Sequence, residues 1–273
     1  VGQTYGRARE LCRQLDETPH LLPVLFGLCV NHWVGGRHRQ ALELGQEFLA
    51  LAQEKQDVAV IVAERMVGGT LWCLGELTQA RVHYERLVAQ HDIAQHRALA
   101  YLYGQEPGVA GRTFLAWVLW QLGFPDQALS RCQEALKMAR EVAHAPTQAN
   151  GQAYAAILHA HRREPEQVNR LAEAVIDLTT EHGLAQFFSW GNVLQGWARA
   201  ALGQTSVGIE QMQRGLAASL ATGTEILRTH FLSLLAEIYG KAGQPEQGLA
   251  VLDEMQQFIE KNDERCLEAE LHR

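Results

Sequence analysis

Twelve histidines and five cysteines in 273 residues are the first places to look for chemistry. The closest histidine pair, His159-x-His161, has a poor spacing for a two-ligand metal clamp, because residues two apart on a helix point to different faces. Both are read as surface histidines near a turn, and no metal is expected. Cys12, Cys29, Cys73, Cys132 and Cys266 are scattered, odd in number and free of any C-x-x-C pair. Such usage argues against a disulfide framework or zinc ribbon and for a reducing cytoplasm. No phosphate-cradling G-x-x-x-x-G-K-[ST] occurs, no H-E-x-x-H, no G-x-S-x-G and no EF-hand loop. Glu164, Glu166 and Asp177 are placed on solvated helix faces. The expectation is no enzyme activity and no cofactor.

Charge and hydropathy narrow the partners. A net charge of −7 gives no electrostatic reason to bind nucleic acid or an anionic membrane. With 47% hydrophobic residues the chain can bury a core. The least charged stretch, Pro19 to Gly36, carries two prolines, His20, Asn31 and His32, and its strongly apolar part is too short to span a bilayer. The absence of an initial Met and the closing CLEAELHR, which reads as the opening of another amphipathic helix, suggest a fragment of a larger protein.

The elements that would position these residues follow a repeat. Gly36, Gly75, Gly123, Gly203 and Gly243 each end an apolar periodic segment, and Arg163 takes the same place in a degenerate sixth copy. Successive spacings are 39, 48, 40, 40 and 40 residues. Five residues after the glycines stand Ala41, Ala80, Ala128, Gly208 and Gly248; seven before each hinge stand Cys29, Gly68, Ala116, Ala156, Gly196 and Ala236. Small side chains at both places let two helices cross closely. Pro125, Pro165 and Pro245 suit a helix first turn, and Asp126, Glu166 and Glu246 complement its dipole. Gly183 and Gly223 fit a left-handed stop after a second helix. Each unit is thus expected to be two antiparallel helices joined by a tight hinge.

The hinge pattern L-G-x-x-x-x-A, clearest in Leu74–Ala80 and Leu122–Ala128, resembles the tetratricopeptide repeat, as does the small residue two turns earlier. The resemblance runs from about Tyr5 to Arg273. It implies an all-α, tetratricopeptide-like right-handed superhelix of about six helical hairpins, filling 1–273 as one helical-repeat domain. The period of about 40 residues exceeds the usual 34. The 48-residue interval holds one insertion, roughly His91 to Pro107. That segment and its sequel, LYGQEPGVAGRTFLAWVLWQLGFPDQAL, together with RARELCRQL and GKAGQPEQGLAVLDE, resemble the C-terminal repeat tail of bacterial proteins carrying a class III nucleotidyl cyclase and a STAND/AAA-type ATPase. None of the motifs of those catalytic domains is present here.

In a tetratricopeptide superhelix the first helix of each pair lines the concave face, and the resemblance implies groove positions about 2, 3, 6, 10 and 13 residues before the hinge. Trp33, Trp72 and Trp120 fall at the third position, Trp117 and Trp197 at the sixth, Trp190 at the thirteenth. Arg65, Asn150, His230, Glu237 and Lys241 share that face. Two readings stand. The tryptophans line an open groove for a peptide, a small ligand or a partner domain, with Arg65 and Lys241 suited to an anionic group; or they pack between successive first helices, as large aromatics usually do. Tyr101, Tyr103 and Pro107 of the insertion are read either as a functional loop or as a plug on the array's edge. The first tryptophan reading makes the chain a sensor that biases attached ATPase or cyclase domains; the second makes it a structural or autoinhibitory scaffold. Solvent access to the tryptophans separates them.

Overall fold

The structure, a computed structural model, describes residues 2–14 and 18–272, so Leu15 and Arg273, both within sequence phrases quoted above, lie outside it. All regular structure among these residues is helical. A lone helix, α1 (Gly2–Gln14), precedes a first hairpin of α2 (Thr18–Val34) and α3 (His38–Glu54) and a second of α4 (Val60–Cys73) and α5 (Leu77–Gln90). The insertion forms two short helices, α6 (Ile93–His96) and α7 (Leu99–Tyr103). Four further hairpins follow: α8 (Pro107–Gln121) with α9 (Pro125–Val142), α10 (Ala145–His161) with α11 (Pro165–His182), α12 (Ala185–Ala201) with α13 (Thr205–Ala221), and α14 (Arg228–Lys241) with α15 (Pro245–Asn262). A single turn, α16 (Glu268–Leu271), comes last. Six hairpins at the expected hinges agree with the repeat read from the sequence.

The sequence reading takes 1–273 as one domain; in the structure the chain divides into two compact units, Val1–Thr147 and Gln148–Arg273. A stack in which each repeat contacts only near neighbours can divide in this way.

Hinge geometry explains the glycines. Gly36, Gly75, Gly123, Gly203 and Gly243 all have positive φ, between 70° and 95°, where a Cβ is strained. Arg163 adopts the same left-handed conformation at φ 61° without being glycine. The small residues meet as expected. In the first hairpin the Cys29 thiol donates to the Ala41 carbonyl at 3.2 Å. In the fifth, a Cβ added to Gly196 would stand 2.7 Å from the Gly208 carbonyl oxygen. Pro107, Pro125, Pro165 and Pro245 open their helices, where a missing N–H costs nothing.

First and second helices differ in how they are covered. The second helix α11 buries one stripe, Val168, Ala172, Val175 and Thr179, and leaves its other faces to solvent. By contrast every residue from Ile61 to Cys73 in α4 is buried, and α8 is buried continuously from Pro107 to Gly111 and from Thr113 to Leu119. A first helix enclosed on all sides leaves little wall for a groove.

Candidate functional site

Enclosure of α4 and α8 decides where their tryptophans go. Trp72, Trp117, Trp190 and Trp197 are 1–3% exposed, while Trp33 and Trp120 are half-buried. In the first unit the rings form one cluster around Phe114. Trp33 lies 5.9 Å and Trp72 6.3 Å from it between centroids, Tyr84 stacks on it at 5.6 Å, and Trp117 meets Trp72 at 5.0 Å. The indole N–H of Trp72 donates to Gln121 at 2.6 Å, and that of Trp33 to the Cys73 sulfur at 3.2 Å. In the second unit Trp190 packs edge-on against Tyr154, Phe187 and Phe231. The expected open aromatic groove is therefore corrected: four of these six side chains are packed between helices. The contact of Trp33 on α2 with Phe114 on α8 shows the reason, since the first helix of one hairpin reaches that of the next but one and closes the space.

Two polar positions move with them. Arg65 is buried, its guanidinium donating to Gln105 of the insertion at 2.6 Å and lying 5.7 Å over the Phe26 ring. It ties α4 to α2 and the insertion rather than facing a groove. Asn150 is buried within α10. Within the insertion Tyr103 is buried against Phe26 at 4.9 Å and Phe48 at 6.2 Å, as a plug would be, whereas Tyr101 is exposed beside His144. Glu106 is wholly buried, caps α8 through the Val109 N–H at 2.7 Å, and meets His91 Nε2 at 2.6 Å. Burial raises its carboxyl pKa, but the His91 contact and the backbone donors outweigh that and hold it below the usual value. This pair was not read from the sequence; a buried acid at a helix start, with a histidine fifteen residues earlier, carries no distinctive spacing.

Lys241 alone of the eleven inner-face positions named from the sequence is exposed, and its ion-pair partner Glu237 lines a cleft. This cleft, about 240 Å³, belongs to the second unit. Ala160, His161 and the hinge residue Arg163 form one side; Ser233, Leu234, Ala236 and Glu237 of α14 form another; Leu252 of α15 and Glu270 of α16 complete it. At its edge Glu237 accepts from both Arg163 and Lys241, the latter at 2.6 Å. Burial raises the Glu237 pKa, yet the two cations reverse this and leave it below the ordinary carboxylate value. Beneath, His161 packs on His230 at 5.0 Å between centroids. Complete burial, followed by the neighbouring His161, pushes the His230 pKa well below its usual value, so it is neutral. His159 turns away from His161 to Glu164 at 2.5 Å, as the two-residue spacing requires.

Burial drives the thiols of Cys29 and Cys132 up to about 12, far from thiolate reactivity at neutral pH. Among the described residues no group of three or more His, Cys, Asp or Glu side chains could hold a metal ion. No helix among them is long and apolar enough to cross a membrane.

Hairpins of this kind define an α-α repeat fold, and the comparisons with known proteins agree. Residues 109–134 and 229–254 match the tetratricopeptide repeat family. Uncharacterized protein R02095 of Rhizobium meliloti (strain 1021) is 24% identical over 284 residues, covering 98% of this chain and 26% of that protein. The chain thus spans about a quarter of the length of this curated relative. A solved structure of Rap protein complexed with Competence and Sporulation Factor superposes with a TM-score of 0.73 at 13% identity, covering 97% of this chain and 70% of the other. At that identity the likeness is one of fold.

Proposed function

We propose that this chain is a non-catalytic interaction module of a larger cytoplasmic bacterial signalling protein, and that its second unit takes a short peptide segment in the cleft beside Glu237. The cleft carries this reading. Ala160, His161, Ser233 and Glu237 of its lining hold positions that the resemblance implies for recognition, and the cleft joins apolar residues such as Leu234 and Leu252 to a charged edge. Small-molecule sites commonly span roughly 300–1,000 Å³, so a smaller cleft suits one or two side chains of an extended segment. The structural neighbour solved with Competence and Sporulation Factor, and a relative about four times longer, support a module that binds a partner on behalf of other domains. The resemblance noted in the sequence makes those domains an ATPase or a cyclase.

A random-peptide display library panned against the chain tests this. Ser233 lines the cleft and is half-buried, so Ser233→Trp fills it from the wall. The expected result is a set of peptides bound by the parent and lost by Ser233→Trp at an unchanged melting midpoint. Recovering no binder, or binders indifferent to Ser233→Trp, overturns the reading. A second reading, a scaffold that docks through its outer helices, is favoured by the shielding of Trp72, Trp117, Trp190 and Trp197.

A further inference from the structure

Arg163 is the only one of the six hinge residues that is not glycine. Left-handed backbone is disfavoured for a residue with a Cβ, though Gln56, Ala143 and Asp263 adopt it after second helices elsewhere in the chain. What distinguishes Arg163 is the destination of its side chain. The guanidinium crosses from the fourth hairpin to Glu237 on the sixth, 74 residues away, and lies at the lining of the cleft. It is not sealed there: the Arg163 side chain is 46% exposed. Glu237 meanwhile serves a second cation, Lys241, one turn along α14. One carboxylate is shared by two cations.

We propose that Arg163 is the anchor for a carboxylate of an acidic peptide segment bound in this cleft, and that Glu237 holds that place in the free protein. The inference rests on the cleft being the recognition surface. The exchange is balanced. When an incoming carboxylate takes the guanidinium, Glu237 keeps Lys241, so no buried charge is left alone, the costly outcome in such exchanges. A guanidinium forks onto a carboxylate with two parallel N–H donors, which gives direction as well as attraction. Glu270 carries negative charge in the same lining, so selection comes from short-range contact with the guanidinium and not from the field of the cleft as a whole.

Hydrogen-bonded exchange at one named side chain can be read directly. The Nε–Hε signal of Arg163, assigned by its loss in Arg163→Gly, is followed by NMR while the tripeptide N-acetyl-Glu-Glu-Glu is added at constant ionic strength. N-acetyl-Gln-Gln-Gln amide serves as the uncharged control. A saturable shift with the first and none with the second is expected. Glu237→Gln should tighten the acidic tripeptide by about three- to tenfold, and Lys241→Met should weaken it, because Glu237 then binds Arg163 alone. Arg163→Gly keeps the hinge conformation used at five other hinges, so loss of binding in that variant is not loss of fold. An Arg163 signal unmoved by the acidic tripeptide, or moved equally by the glutamine one, overturns the proposal. Library peptides that bind the cleft regardless of Arg163 would refute this anchor and leave the peptide reading intact. A saturating Arg163 shift with no library binder would do the reverse.

Discussion

Truncating Trp117 to alanine removes an indole that touches Trp72 at 5.0 Å between centroids and is 3% exposed. Loss of so large a buried ring costs about 3–5 kcal/mol, mostly as cavity and lost contacts. Urea unfolding of Trp117→Ala should show a midpoint lowered by that amount; a change under about 1 kcal/mol would place the ring outside the core. The sequence offered both an open groove and packing between first helices for the tryptophans, and did not decide between them. A register fixes which neighbour a side chain faces, and only the distance to the next-but-one helix decides whether water fits between. The clue available was the near-continuous apolar character of MVGGTLWCL and TFLAWVLW, which marks a helix buried all round rather than one with a wet face. His230 gives a second test at this scale. Its folded pKa lies well below the ordinary 6.5, so the unfolded chain binds the extra proton as pH falls. Stability from this group is full above about 6.5 and is lost as pH drops toward the folded pKa. Denaturant midpoints measured on acidification below 6.5 should fall, and should fall less in His230→Phe.

At the level of the helix pair, the crossing of α12 over α13 leaves no room for a side chain. Gly196→Ala brings a Cβ within 2.7 Å of a backbone oxygen that cannot swing away, so the hairpin must shift. We expect a cost of about 1–3 kcal/mol, larger for Gly196→Leu, read from thermal melts. An unchanged midpoint for both would mean that the crossing is looser than described. The hinge makes a contrasting prediction. Arg163→Gly relieves left-handed strain of about 1 kcal/mol and forfeits a half-exposed ion pair worth about 0–1 kcal/mol. Its melting midpoint should stay near that of the parent, and a strongly destabilised variant would contradict this balance. Hinges and crossings were legible because they are local: a positive φ or a 3 Å approach admits few residue types, so the type reports the geometry. The insertion was legible only as an interruption. Its anchorage through Glu106, His91 and the Thr147 hydroxyl, which accepts from the Glu106 N–H at 2.9 Å, joins residues with no periodic relation.

Across the molecule, the six hairpins and their spacing followed from one recurrence, whereas the cleft arose where α10 and its hinge meet α14, α15 and α16. No periodicity predicts Leu252 and Glu270 beside Arg163. The cleft was partly visible all the same, since Glu237 and Lys241 were already assigned to the inner face. One feature of the hairpins reaches beyond recognition. Each helix of a pair finds its partner across a hinge of a few residues, and the Arg163–Glu237 pair between hairpins joins residues 74 positions apart. Chain closure over such short distances is entropically cheap, so folding should be fast and able to start in more than one hairpin. Damage should also stay where it is made. In Gly196→Ala, native-state amide exchange should accelerate in α12 and α13 while α2 to α5 keep their protection, so a single fault would fray the chain locally before it melts the whole.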